Sequence, residues 1–288
     1  MMVQFLTFIF GAIIGSFINV VVHRLPIILD REWQLALSDD LQQLSQNKAL
    51  QERVRTAAKT VASAFAAKGQ PLRYNLALPG SQCPTCGHEL HAWENIPLIS
   101  YILLKGRCHS CKRHISLRYP AMEFTAGVIA LLNLIAFGPT PQAIAGFAFC
   151  ATLLGAATID AETMLLPDSM TLPLLWAGLG FSYWQLPWFT RSSLMAAAAA
   201  YAMLWLCSSI VRTVKKVDSM GGSDLKLAAA IGAWIGLDEI PLMFAIAVGA
   251  TLMCFAVQYF RRRSVGRIPF GPGLALAGAV IWLLKPAI

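Results

Sequence analysis

Charge is what this chain has least of: Asp, Glu, Lys and Arg together make up 13% of its 288 residues, against 57% hydrophobic residues, and the mean hydropathy is +0.59. An ordinary soluble domain carries about 25% charged residues, so that class is excluded and an all-α polytopic integral membrane protein is the expected fold. Also missing are an Ala-x-Ala cleavage site and a basic stretch ahead of the first apolar run. That run therefore reads as a retained helix, not a signal peptide. No internal repeat is evident, which weighs against a transporter assembled from duplicated halves.

Apolar segments approaching the ~20 residues that cross a bilayer as a helix fall at about 2–22, 121–138, 142–159, 169–187, 193–211, 225–237, 240–259 and 270–285. This gives about eight transmembrane helices, the sixth short enough to be a half-helix. Pro26, Pro120, Pro141, Pro167, Pro241 and Pro269 punctuate them, as expected where helices start or stop. Thirteen of the twenty-three Lys and Arg residues lie between His23 and Tyr119, with further clusters at Arg212, Lys215 and Lys216 and at Arg261, Arg262, Arg263 and Arg267. Eight spans put all three regions on one side, which the positive-inside bias makes the cytosol, leaving both termini outside. The net charge of +8 is thereby accounted for by topology, with no nucleic-acid partner implied. The expected organisation is a first helix over 1–22, a cytosolic loop over 23–119 and a membrane core over 120–288.

Two carboxylates stand out because each borders an apolar segment, where charge costs roughly 2.5–3.5 kcal/mol and is usually kept for a function. Asp160 closes the third span within Ile159-Asp160-Ala161-Glu162, and Asp224 opens the sixth within Gly221-Gly222-Ser223-Asp224-Leu225-Lys226. On the topology above both lie at the cytosolic face at similar depth. Lys226, Gly221 and Gly222 are expected to support Asp224, the lysine by tuning its charge or by reaching the interface. Asp168, at the start of the fourth span, is expected to cap that helix. Without further information, both acids could equally be helix caps.

Four of the seven cysteines form Cys83-x-x-Cys86 and Cys108-x-x-Cys111. About twenty residues separate the pairs, the spacing of a structural zinc ribbon, so a tetra-Cys zinc module is expected over about 80–115. A cytosolic, reducing location disfavours disulfides. Cys150, Cys207 and Cys254 read as small buried hydrophobes within spans. Between about 29 and 69 the loop turns Gln-, Ala-, Leu- and Lys-rich with apolar residues at rough helical spacing, which predicts one or two amphipathic helices. Gly11-x-x-x-Gly15 and Gly232-x-x-x-Gly236 are expected to be sites of close helix approach.

In order along the chain come Gly15-Ser16-Phe17-Ile18-Asn19 running into His23-Arg24-Leu25-Pro26, the paired Cys motifs, Trp93-Glu94-Asn95-Ile96-Pro97, Gly106-Arg107-Cys108, Arg118-Tyr119-Pro120 with Glu123, both Asp motifs and Ile268-Pro269-Phe270-Gly271-Pro272. This series, covering nearly the whole chain, resembles the bacterial type IV prepilin leader peptidase family, bifunctional membrane aspartic peptidases and N-methyltransferases serving type IV pili and type II secretion. Two features depart from the family. Ser223 stands where Gly-x-Gly-Asp is usual, which puts the local backbone in question if a positive φ is needed there, and the helical content over 29–69 exceeds that of shorter family loops.

The resemblance implies a multi-pass protein of the bacterial inner membrane that removes a short basic leader from prepilins or pseudopilins and then methylates the new N-terminus. It places the catalytic pair at Asp160 and Asp224, sharing one proton as an aspartic dyad does. It also implies S-adenosylmethionine as methyl donor, although no Gly-rich methyltransferase fingerprint occurs, and it directs attention to Gly106 and Glu123 for that second activity. A transporter using the two acids as an ion site, or a non-catalytic scaffold carrying a zinc module, are the alternatives. The first predicts acids near mid-span and a polar pathway, and the second leaves both acids without a role.

Overall fold

The computed structural model describes residues 1–44, 75–185, 187–215, 221–262 and 268–285. Among these the chain is helical apart from the loop carrying the cysteines. The long helices are α1 (Met2–Leu44), α3 (Arg118–Phe137), α4 (Pro141–Thr163), α5 (Asp168–Gln185), α6 (Pro187–Lys215), α7 (Gly222–Ile235), α8 (Ile240–Arg262) and α9 (Gly271–Leu284), with a short α2 (Ile99–Leu103) in the loop. Five helices have stretches long and apolar enough to cross a membrane unaided, at 2–37, 118–137, 141–163, 192–214 and 240–260, and 271–284 is a shorter apolar helix. Most of the expected 29–69 insert lies outside the described residues.

Of the six prolines named above, five lie within the first turn of a helix or up to two residues before it; Pro26 does not. α1 runs straight through it to Leu44, so the first helix does not end near residue 22. An interior proline removes one backbone bond at a cost of ~3 kcal/mol, but the turns beside it are anchored. Val22 and Arg24 are buried, and the Arg24 guanidinium donates to the carbonyls of Asn75, Leu76 and Gly80 at 3.1, 3.3 and 3.2 Å. The same contacts pin the start of the cysteine loop to α1.

α1 packs on α3 and α4, where Gly11 and Gly15 do what their spacing suggests: a Cβ on Gly11 would stand 2.7 Å from the Ala126 carbonyl oxygen, and one on Gly15 2.7 Å from the Glu123 Cα. The second glycine pair divides its roles. Gly232 lies against α6, a Cβ there meeting the Ala196 carbonyl oxygen at 2.8 Å, whereas Gly236 caps α7 at φ 91°, a conformation that favours glycine.

The shorter helices α7 and α9 form the interior of the bundle, nearly every residue of α7 from Leu225 to Ile235 being buried. Phe149 of α4 stacks on Trp234 of α7 with centroids 4.8 Å apart, and Phe181 and Trp282 complete the aromatic cluster. Two asparagines within the spans are engaged helix to helix. Trp282 Nε1 donates to Asn133 Oδ1 at 3.1 Å and Asn19 Nδ2 to the Tyr119 carbonyl at 3.1 Å. Cys150 is buried as expected, but Cys207 and Cys254 lie exposed on the outer surface of the bundle, because that side of α6 and α8 carries apolar residues outward for lipid.

Candidate active site

Helix starts and ends gather at one end of the bundle. Lys226, in the first turn of α7, bonds Asp168 at the start of α5 at 2.7 and 2.8 Å. The first residue of α9, Gly271, bonds Asp160 in the last turns of α4 at 3.0 Å. The starts of α5, α7 and α9 are thus level with the end of α4. The aromatic cluster supplies an independent measure: Asp160 is eleven residues beyond Phe149 and Asp224 ten before Trp234, about 16 and 15 Å of helix from the stacked pair. Antiparallel helices of matched length from a common anchor return both acids to the same depth.

Asp160 is buried, with 5% of its surface exposed. α4 reaches it from Thr140, whose side-chain oxygen accepts from the Ala143 N–H, with Pro141 at the first helical position. The helix stops just beyond, at Met164 in a left-handed conformation with φ 56°, its N–H bonded to the Asp160 carbonyl at 2.9 Å. Asp224 is half-buried in the first turn of α7, where its N–H bonds the Gly221 carbonyl at 3.2 Å. Gly221 is extended at φ −71°, ψ 143° and caps the helix that begins at Gly222. Ser223 therefore has ordinary helical backbone, so serine in the family's glycine position brings no conformational cost.

Lys226 serves Asp168, not Asp224 as its sequence position suggests, since the third and first residues of a helical turn point to different neighbours. Gly271 joins the site without having been singled out by sequence reasoning. Its signal is present in Phe270-Gly271-Pro272, a proline in the first turn marking a helix N-terminus, whose Gly271 N–H is bonded to Asp160.

Glu123 lies at this same end of the bundle, next to Met122, which packs on Ile159 and takes a bond from Thr158, but its own carboxylate is engaged elsewhere, and Gly106 lies in the loop. Glu123 Oε2 accepts from the Leu98 N–H at 2.8 Å and also bonds the Ser16 side chain. Gly106 has φ 66°, and a Cβ on it would stand 2.8 Å from the Tyr101 hydroxyl, so its place beside Cys108 has a steric reason independent of any methyl transfer.

The cysteine pairs converge. Cys83 and Cys111 sulfurs are 3.9 Å apart and those of Cys86 and Cys108 4.0 Å, close to the ~3.8 Å separation that a tetrahedron of 2.3 Å Zn–S bonds requires. Each pair sits in a turn closed by an isolated β-bridge, Gln82 with Glu89 and Arg107 with His114. Burial opposes ionisation of Cys83, but the backbone N–H groups of Cys86 and Thr85 and the neighbouring thiols outweigh it and bring the thiol down to about 6. At Cys111 the Arg113 N–H favours the thiolate, but the neighbouring thiols push it up to about 11, so the four sulfurs share one set of protons that a bound metal would have to displace.

Residues 9–137 match the family model described as the bacterial peptidase A24 N-terminal domain, and residues 147–257 that of the type IV leader peptidase family. Among curated proteins, the chain is 41% identical over 273 residues to a prepilin leader peptidase/N-methyltransferase of Burkholderia pseudomallei, covering 94% of this chain and 82% of the relative. It is 38% identical over 280 residues to one from Pseudomonas aeruginosa, covering 96% and 89%. The corresponding protein of Neisseria gonorrhoeae is 33% identical over 281 residues, covering 97% and 90%. No solved structure matches. With both halves matched and near-complete relatives at these identities, the chain belongs to the type IV leader peptidase family.

Proposed function

We infer that this protein is a membrane-embedded prepilin leader peptidase and N-methyltransferase in which Asp160 and Asp224 are the peptidase dyad. The observation that carries the dyad is the return of both acids to one end of the bundle, Asp160 beside the first residue of α9 and Asp224 at the start of α7, level with the start of α5. One carboxylate ionised and the other protonated would activate water and polarise the scissile carbonyl. The Gly271 N–H donates to Asp160 and holds its carboxylate in place for this role, with Asp224 as its partner.

Eight spans, with α7 and α9 as short interior helices, put this end at the cytosolic face of the bacterial inner membrane, the large loop cytosolic and the termini outside. A prepilin or pseudopilin with its basic leader in the cytosol and its apolar stem in the bilayer would bring the scissile bond to the depth of the acids. The buried asparagines are taken up by helix contacts and trace no polar pathway among the described residues, which argues against the transporter alternative.

Zinc held by Cys83, Cys86, Cys108 and Cys111 would fix the loop, and S-adenosylmethionine would supply the methyl group. Gly106, in the loop, and Glu123, whose carboxylate binds the Leu98 N–H at the base of that loop, are the positions we associate with methyl transfer. The test is purified protein incubated with a prepilin, with and without S-adenosylmethionine, followed by mass spectrometry of the product. Leader removal alone, then leader removal with one added methyl group, is the expected pair of results. Replacing Gly106 by a bulky residue should remove the methyl group and spare cleavage; equal loss of both reactions would refute separate sites.

A further inference from the structure

Beside the cysteine turns, three elements bring a second set of metal-ligating side chains together. His88 follows the first Cys turn, His109 lies within the second, and Glu94 sits on the short 3-10 turn Ala92–Asn95. Their ligating atoms all lie within 4.8 Å of one another. The Glu94 side chain is fully buried. Its Oε2 accepts from the His91 N–H at 2.8 Å and faces His88 Nε2 at 3.2 Å. Its Oε1 is buried without a hydrogen-bond partner. His109 Nδ1 stands 3.8 Å from Oε1, beyond hydrogen-bond reach.

A buried carboxylate oxygen left without a partner is destabilising, and buried charges are normally paired or bound to metal. Zinc bonds to imidazole nitrogen and carboxylate oxygen are about 2.0–2.2 Å, which places tetrahedral ligands about 3.4 Å apart. The separations here, 3.2 Å from His88 to Oε2 and 3.8 Å from His109 to Oε1, lie on either side of that spacing, one at each carboxylate oxygen. The rings are held in place, His109 edge-on to Trp93 at 5.4 Å and His88 against His91 at 5.6 Å between centroids.

We propose that His88, Glu94 and His109 form a second divalent-metal site, distinct from the four cysteines, taking zinc or a similar first-row ion with a water as fourth ligand. Two imidazoles and a carboxylate make a harder donor set than four thiolates, so this ion binds more weakly than the first. It ties the turn bearing Trp93, Glu94 and Asn95 to both cysteine turns.

The test is cobalt(II) titration of the full-length, metal-stripped protein in detergent, followed by absorbance and by metal analysis. The wild type should bind about two equivalents, the first with a thiolate-to-cobalt charge-transfer band and the second with ligand-field absorption alone. Glu94→Gln, which is close in shape and can still accept from the His91 N–H, should lose the second equivalent and keep the first; His109→Asn should do the same. One equivalent in the wild type would overturn the proposal. So would a second equivalent undiminished in both variants. Loss of both equivalents in both variants would show that the trio serves the cysteine site alone, and would overturn it equally.

Discussion

The backbone N–H of Gly271 stands 3.0 Å from Oδ2 of Asp160, across 111 residues of sequence. It is the first residue of α9, so the bond adds the positive end of a helix to a direct donor. No side chain fits there: a Cβ on Gly271 would come 2.5 Å from the same oxygen and 3.2 Å from Leu166 Cδ1.

Gly271→Ala should therefore displace the Asp160 carboxylate or the start of α9. A hydrogen bond to a charged group is worth roughly 1.5–3 kcal/mol, which corresponds to cleavage slowed about 10- to 100-fold. Initial rates of leader removal at matched amounts of folded protein would measure it. Methylation of a pre-cleaved pilin should be unchanged, which separates an effect on Asp160 from general unfolding.

Asp160→Asn and Asp224→Asn should each leave folded, zinc-loaded protein with cleavage reduced at least ~10³-fold, the scale of a lost general acid or base. Amides cannot exchange the shared proton. A gel-shift cleavage assay would decide, and retention of near-wild-type cleavage by either variant would remove that residue from the dyad.

The convergence of these two acids is legible in the sequence because it needs only the parity of spans and the placement of charge. Asp160 ends one apolar segment and Asp224 starts another an odd number of segments later, so both are expected at one end. Lateral position is a different matter. A two-residue spacing pairs Lys226 with Asp224, whereas across helices the lysine reaches Asp168. Gly271 lies in a motif that carries no role by itself, because nothing in one sequence says which helix N-terminus abuts which carboxylate. Pro26 reads as a boundary by local chemistry alone, and the contacts of Arg24 that hold the helix through it come from residues some fifty positions away.

Removing the metal from the cysteine module should loosen the loop before it affects the membrane core, since a region this small draws most of its folding energy from the ion. Cys108, the buried member of the four, is the sensitive position. Cys108→Ser should lose zinc and become open to limited proteolysis between residues 80 and 115, while the helical content of the bundle stays at the wild-type level by circular dichroism. Wild-type protease resistance in the zinc-free variant would show that the loop holds itself together by side-chain packing.

Asp168 is the acid most easily confused with Asp160, lying at the same end of the bundle and closer to the surface. Its carboxylate is already bonded on both oxygens to Lys226, at 2.8 and 2.7 Å, with 53% of the aspartate side chain and 39% of the lysine exposed. An ion pair that open to solvent is worth about 0–1 kcal/mol, and both Asp168 oxygens are already engaged by Lys226. Asp168→Asn should therefore keep cleavage within about fivefold of wild type, the rate equivalent of that energy, and Lys226→Met should behave similarly. The comparison with Asp160→Asn is the discriminating one, because both changes remove one negative charge from the same end of the bundle. If Asp168→Asn were inactive at equal expression and Asp160→Asn active, the peptidase pair would have to be redrawn as Asp168 with Asp224, and the bond from Gly271 would be a structural contact only.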